Sequence, residues 1–218
     1  MKVLIGIAGC HKNQHKADAL RATWVKDVRG ADVRFFAGGQ GTNQKPDEVW
    51  LDCPDDYDHR LPKVYAMFDW ALTQGYDYLW KVDDDVYLRP ERLLALPLRH
   101  FQGNFMPHQT FKLVGTILGA CAGFSRHAME TVLREPLPPY HLRFEDVFVT
   151  LILLSAGIEA YQLKHVMPWT HRRGGEFVNN LQQPPHPNNQ VVASFEYTPE
   201  QLVAIHEGFM SGADCDVR

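Results

Sequence analysis

An α/β fold is predicted, with a mostly parallel central sheet flanked by helices on both faces. Three observations carry that prediction. Strand and helix signals alternate through the first hundred residues. The apolar runs are strand-length, with the β-forming residues Tyr78, Leu79, Trp80 and Val82 in one of them. Finally, 218 residues at 45% hydrophobic content are enough to bury one full core, with no composition typical of a fibre or a disordered chain.

Lys2 to Ala8 reads as the first strand, followed by a Gly9-Cys10-His11 turn and a helix over His15 to Lys26 that turns Ala19, Leu20, Thr23 and Trp24 inward. Val33 to Ala37 is the second strand, ending at Gly38-Gly39. A short third strand, Val49 to Leu51, enters the acidic loop Asp52 to Asp58. A helix over Pro62 to Leu72 presents Val64, Tyr65, Phe68 and Leu72 at helical spacing and leads to a strand over Tyr76 to Val82. Pro90 precedes a short helical stretch, Glu91 to Leu96.

The second half is less regular. Short strands are expected at Phe105 to Pro107, Lys112 to Thr116 and Cys121 to Phe124, then a helix over Arg126 to Arg134 that the prolines 136, 138 and 139 end. A helix over Glu145 to Ala156 is apolar almost all round, which predicts burial on most sides. Strand Glu159 to Leu163 and segment His165 to Trp169 follow. The stretch from Gly174 to Asn189, rich in Pro and Asn, reads as a loop of the length that lids use. Thr198-Pro199-Glu200-Gln201 is a capping-box start for a last helix to about Met210, with a packing role.

The most informative chemistry lies in Lys81-Val82-Asp83-Asp84-Asp85. It places three adjacent carboxylates at the C-terminal end of an apolar strand, the edge where open α/β sheets bind ligands. Like charges about 4 Å apart repel by roughly 4 kcal/mol at an effective dielectric of 20, so a cation is expected there. In extended backbone Asp83 and Asp85 point one way and Asp84 the other. The pair offers hard oxygen donors suited to Mg²⁺ or Mn²⁺; a solvated acidic turn is the plain alternative.

Composition excludes other classes. A net charge of −4 argues against an electrostatic nucleic-acid binder. The four cysteines lack C-x-x-C spacing, so neither a zinc knuckle nor a redox pair is expected, and Cys10 and Cys121 read as core thiols. No segment is long and apolar enough for a signal peptide core or a membrane span. A complete chain of this kind would be soluble and cytoplasmic, and an excised domain luminal.

Several separated motifs fall in one order, and with them the chain resembles the β-1,3-galactosyltransferase-like glycosyltransferases, a group that includes the Fringe-type N-acetylglucosaminyltransferases. The motifs are Arg21-Ala22-Thr23-Trp24, Asp52-x-x-Asp55-x-Tyr57 with Lys63, Lys81-Val82-Asp83-Asp84-Asp85, Gly119 with Ser125, and Glu145-Asp146-Val147. His59, Leu61 and Ala122 depart from the family pattern.

The resemblance implies a GT-A fold as a single domain over residues 1–218. Residues 1–100 would form the nucleotide-sugar half, and 101–218 a smaller, mixed-strand acceptor and catalytic half. It also implies a metal-bound nucleotide-diphosphate sugar donor, most simply a UDP-sugar, a glycan acceptor, and transfer with inversion. On that reading Asp83, Asp85 and a downstream histidine, His171 with His165 as the alternative, hold Mn²⁺ or Mg²⁺, and Asp146 is the base that inversion needs. Arg21, Lys63, Asp83, Asp84, Gly119 and Glu145 are then substrate-binding candidates. Tyr57, Tyr140 and Trp169 would suit a sugar face. Two other readings are a metal-dependent nucleotidyltransferase or phosphohydrolase, against which no G-x-x-x-x-G-K-[ST] loop is present, and a non-catalytic sugar-binding domain.

Overall fold

The structure is a computed structural model and describes residues 1–41, 44–106, 116–139, 144–163, 166–168, 170–173, 176–179, 193–195 and 198–210. In chain order the elements are β1 (Val3–Ala8), α1 (Gln14–Ala22), β2 (Asp32–Gly38), β3 (Glu48–Leu51), α2 (Arg60–Thr73), β4 (Tyr78–Asp83), β5 (Tyr87–Leu88) and α3 (Pro90–Leu93). They continue with β6 (Phe101–Met106), β7 (Thr116–Ser125), α4 (Arg126–Arg134), α5 (Glu145–Ser155), β8 (Ala160–Gln162), β9 (Val166–Pro168), β10 (Thr170–Arg173), β11 (Glu176–Asn179), β12 (Ala193–Phe195) and α6 (Pro199–Met210).

Seven strands form the central sheet in the order β3-β2-β1-β4-β7-β6-β8. The pairs β2·β3, β1·β2, β1·β4 and β6·β8 are parallel, whereas β7 runs antiparallel to both β4 and β6. The predicted α/β class therefore holds, and this mixed sheet flanked by helices is consistent with a GT-A-like domain. The chain leaves β1 toward β2 on one side, while β4 arrives on the other, so the strand order reverses between β1 and β4. Ligands of open α/β sheets bind at such a crevice, outside the strands' carboxyl ends. Ala8 pairs with Asp83 there, which puts the acid run on that edge.

Strand alternation gives the sheet two cores. Val3, Ile5 and Ile7 face one side with Ala19, Leu20 and Trp24 of the first helical region and Leu202 of α6. Leu4 faces the other side, among Val64, Met67 and Phe68 of α2, Met129 and Val132 of α4 and Val149 and Leu153 of α5. Among the largest fully buried side chains are Trp24 and Trp80.

Helix α5 is buried on most sides as expected, with Leu151 42% exposed. Some expectations need correction. The stretch 174–189 is not structureless, because Glu176–Asn179 pairs with Thr170–Arg173; the rest of it lies outside the described residues. The short strand β5 was not expected; it pairs with β12, which also pairs with β9. Of the strand expected over Lys112 to Thr116, only Thr116 is described, as the start of β7. Among the described residues, no helix is long and apolar enough to cross a membrane.

Candidate active site

At the carboxyl ends of β1 and β4 lies a cavity of about 380 Å³, lined by Gly9, Cys10, Asn13, Lys16, Asp55, Tyr57, Arg60, Lys63, Lys81, Asp83, Asp84, Asp85 and Glu145 among others. That volume is within the range of small-ligand sites. All three aspartates face it, which corrects the expectation that Asp84 points away. Strand β4 ends at Asp83 and the chain turns at once, so strand alternation stops before Asp84.

The cations expected beside the acids include two lysines of the chain itself. Lys81 is buried on β4 and donates to Asp83 Oδ1 at 2.6 Å, with Glu145 Oε1 at 3.5 Å. Arg60 Nε reaches the other oxygen of Glu145 at 3.2 Å. Burial alone would lower the Lys81 pKa, but the charges of Asp83 and Glu145 outweigh it and raise the value. Lys16 Nζ lies 3.3 Å from Asp84 Oδ1 and 3.6 Å from Asp85 Oδ2.

Asp84 is the most occupied of the three aspartates. Its Oδ2 accepts from Asn13 Nδ2 at 2.9 Å, and its side chain packs against Gly9, where a Cβ would meet it at 3.4 Å. Asp85 is the least satisfied. Burial, then repulsion from Asp83, pushes its pKa up to about 6. The turn carrying it is braced from behind, because Trp24 Nε1 donates to the Val86 carbonyl at 3.0 Å.

A second cluster shapes the loop after β1. Asp55 Oδ1 accepts from Gly38 N and Lys63 Nζ, at 2.7 and 2.9 Å, and Oδ2 accepts from His11 N at 2.7 Å. Lys63 also donates to the Gly9 carbonyl at 2.6 Å. Lys63 is thus on the cavity wall while holding the loop that faces Asp84.

Arg21 is not brought to the cavity. It binds Asp47 and Glu48 at 2.8 Å each, pairs with Asp18 at 2.7 Å, and stacks over the Phe35 ring. The five residues from Lys16 to Arg21 turn the helix by about 140° and advance it about 7.5 Å. The sequence motif named Arg21, but the cation from α1 that reaches the acids is Lys16. Sequence reasoning also missed Arg60 and Asn13. The available signal was that residues opening the helices after β1 and β3 lie nearest the carboxyl edge of a parallel sheet.

Asp146 lies beside Glu145 at the start of α5, lining a slot of about 20 Å³ rather than the main cavity. Its Oδ1 accepts from Val147 N at 2.9 Å. The slot shares Val64, Lys81 and Glu145 with the cavity, so the two adjoin. Gly119 sits on β7, next to β4 in the sheet. His171 is on β10, opposite Val178, with its side chain outside the described residues; His165, Tyr140 and Trp169 also lie outside them. Tyr57 is 62% exposed, with Arg60 stacked on its ring at 4.1 Å. Cys10 corrects the core-thiol expectation, being half-buried on the cavity wall, whereas Cys121 is fully buried.

Among the described residues, no group of three or more His, Cys, Asp or Glu side chains is placed to hold a metal ion by itself. The donor set nevertheless fits Mn²⁺ or Mg²⁺ held jointly with a substrate. Such ions are commonly bound through one or two carboxylates plus phosphate oxygens, and a cation at Asp85 would offset the burial and the Asp83 repulsion that raise its pKa.

The sequence model of the galactosyltransferase family matches residues 15–118, a little under half of the chain, and over that span the chain is similar to β-1,3-galactosyltransferase-like glycosyltransferases. The matched span contains the segments of Arg21, Asp55, Lys63 and Asp83 to Asp85, and ends before Gly119, Glu145 and Asp146. No curated protein matches the chain. Glycosyl transfer is the chemistry this family supports.

Proposed function

We propose that the chain is a metal-dependent, inverting glycosyltransferase that moves a sugar from a UDP-sugar to a hydroxyl of a glycan or glycoconjugate. One observation carries this reading. The galactosyltransferase-like segment delivers three carboxylates and several cations to one cavity at the switch point of the sheet. Residues 1–100 then serve the donor and 101–218 the acceptor and the base.

In this reading Asp85, with the second oxygen of Asp83 and with His171, would hold Mn²⁺ or Mg²⁺, which would supply Lewis-acid stabilisation to the departing diphosphate. Lys81 fixes Asp83 by holding one of its oxygens. Glu145, clamped between Lys81 and Arg60, orients the start of α5 and so the adjoining Asp146. Asp146 takes the proton of the acceptor hydroxyl as the new glycosidic bond forms and the bond to the diphosphate breaks.

The test is transfer from a panel of UDP-sugars to simple glycosides, followed by UDP release and by NMR of the product's anomeric proton. A product of opposite anomeric configuration to the donor is expected. Asp146→Asn should keep UDP affinity within about threefold and lose at least about 100-fold in turnover, the scale of a general base. Retained configuration, or full turnover in that variant, contradicts the assignment.

A further inference from the structure

We infer that Lys16 is a hand-over cation, which neutralises Asp84 and Asp85 when the cavity is empty and moves to the donor's diphosphate when metal and donor enter. This rests on the donor-site reading above and assigns a role to a residue outside its motifs. Four observations support it.

First, Lys16 Nζ spans two of the three acids, at 3.3 and 3.6 Å, so it stands where an incoming divalent ion would repel it. Second, the side chain keeps 23% exposure, and an ammonium on a four-carbon stem can be redirected within a cavity of about 380 Å³. Third, its departure leaves no buried acid bare. Asp84 keeps Asn13 at 2.9 Å, and Asp85 gains the metal. Fourth, the other cation of the helix is committed elsewhere, Arg21 being held by Asp18, Asp47 and Glu48. A diphosphate bound beside the acids needs cationic partners beyond the metal, and Lys16 becomes available at that moment. Lys16 thereby links metal entry to phosphate binding: each favours the state that the other needs.

Calorimetry on the full chain tests this with Lys16→Met and Lys16→Gln, which keep most of the stem, and Lys16→Arg, which keeps the charge. The titrants are Mn²⁺ alone, and inorganic pyrophosphate and UDP each with saturating Mn²⁺. Both neutral variants should bind Mn²⁺ alone about threefold or more tightly, because a competing cation is gone. They should bind pyrophosphate and UDP about tenfold more weakly, with Lys16→Arg near wild type. Circular dichroism and thermal melting confirm folding of each variant. Unchanged pyrophosphate and UDP affinity in a folded neutral variant overturns the inference and leaves Lys16 as a fixed counter-ion. A wild-type chain that binds Mn²⁺ but neither UDP nor pyrophosphate overturns the donor reading itself, and Lys16 with it.

Discussion

At the residue scale, Lys81 has the most at stake. It is 3% exposed, and it answers Asp83 and Glu145 together. Removing one partner of a buried ion pair costs about 3 to 5 kcal/mol, because the remaining charge is left unpaired. Arg60 still reaches Glu145, so Lys81→Met should lose about 3 kcal/mol in urea unfolding; a loss under about 0.5 kcal/mol would show that the pair is not structural. Asp85 makes a prediction about pH. Its carboxyl is held up to about 6 in the folded chain against 3.8 ordinarily. The folded state therefore binds the proton more tightly than the unfolded one. The metal-free protein should lose stability from this group as pH rises from 3.8 toward about 6. Thermal melts of wild type and Asp85→Asn across that window should diverge, with the variant gaining relative stability at the upper end. Parallel profiles would contradict the burial and repulsion assigned to Asp85.

At the element scale, α1 shows why a motif can locate a helix without locating its working residue. The helix after β1 was legible from Ala19, Leu20, Thr23 and Trp24, all of which are buried. Which of its cations faces the cavity depends on where the helix begins, at Gln14, and on Asp47 and Glu48, which lie far along the chain and take Arg21. The last helix was legible to the level of its cap. Gln201 Oε1 accepts from Thr198 N at 2.8 Å, and Thr198 Oγ1 accepts from Gln201 N at 3.4 Å, the reciprocal box that its four residues spelled out. The helix packs on α1 through Leu202 and sets His206 Nδ1 3.2 Å from the Tyr87 hydroxyl. Thr198→Ala should cost about 1 kcal/mol and speed amide hydrogen exchange in α6. Unchanged exchange there would mean that packing on α1 alone fixes the helix start.

At the scale of the whole molecule, strand order joins these parts. Parallel strands β1 and β4, adjacent although far apart in sequence, bring Gly9 and Asn13 to Asp84. Alternating strands and helices made the parallel half readable, as did the acid run at a strand end. The antiparallel insertion of β7 beside β4, and the small sheet of β5, β12 and β9, were not readable, because pairing between distant short strands leaves little local signal. The direction of Asp84 was misread for a related reason, since the strand ends at Asp83 and the chain turns there instead of continuing to alternate. The central claim is that this edge binds a nucleotide diphosphate through a metal on Asp85. Calorimetric titration of UDP into wild type and Asp85→Ala, with and without Mn²⁺, tests it most directly. The account predicts Mn²⁺-dependent binding that Asp85→Ala abolishes, whereas equal UDP affinity in the two proteins with Mn²⁺ present would contradict it.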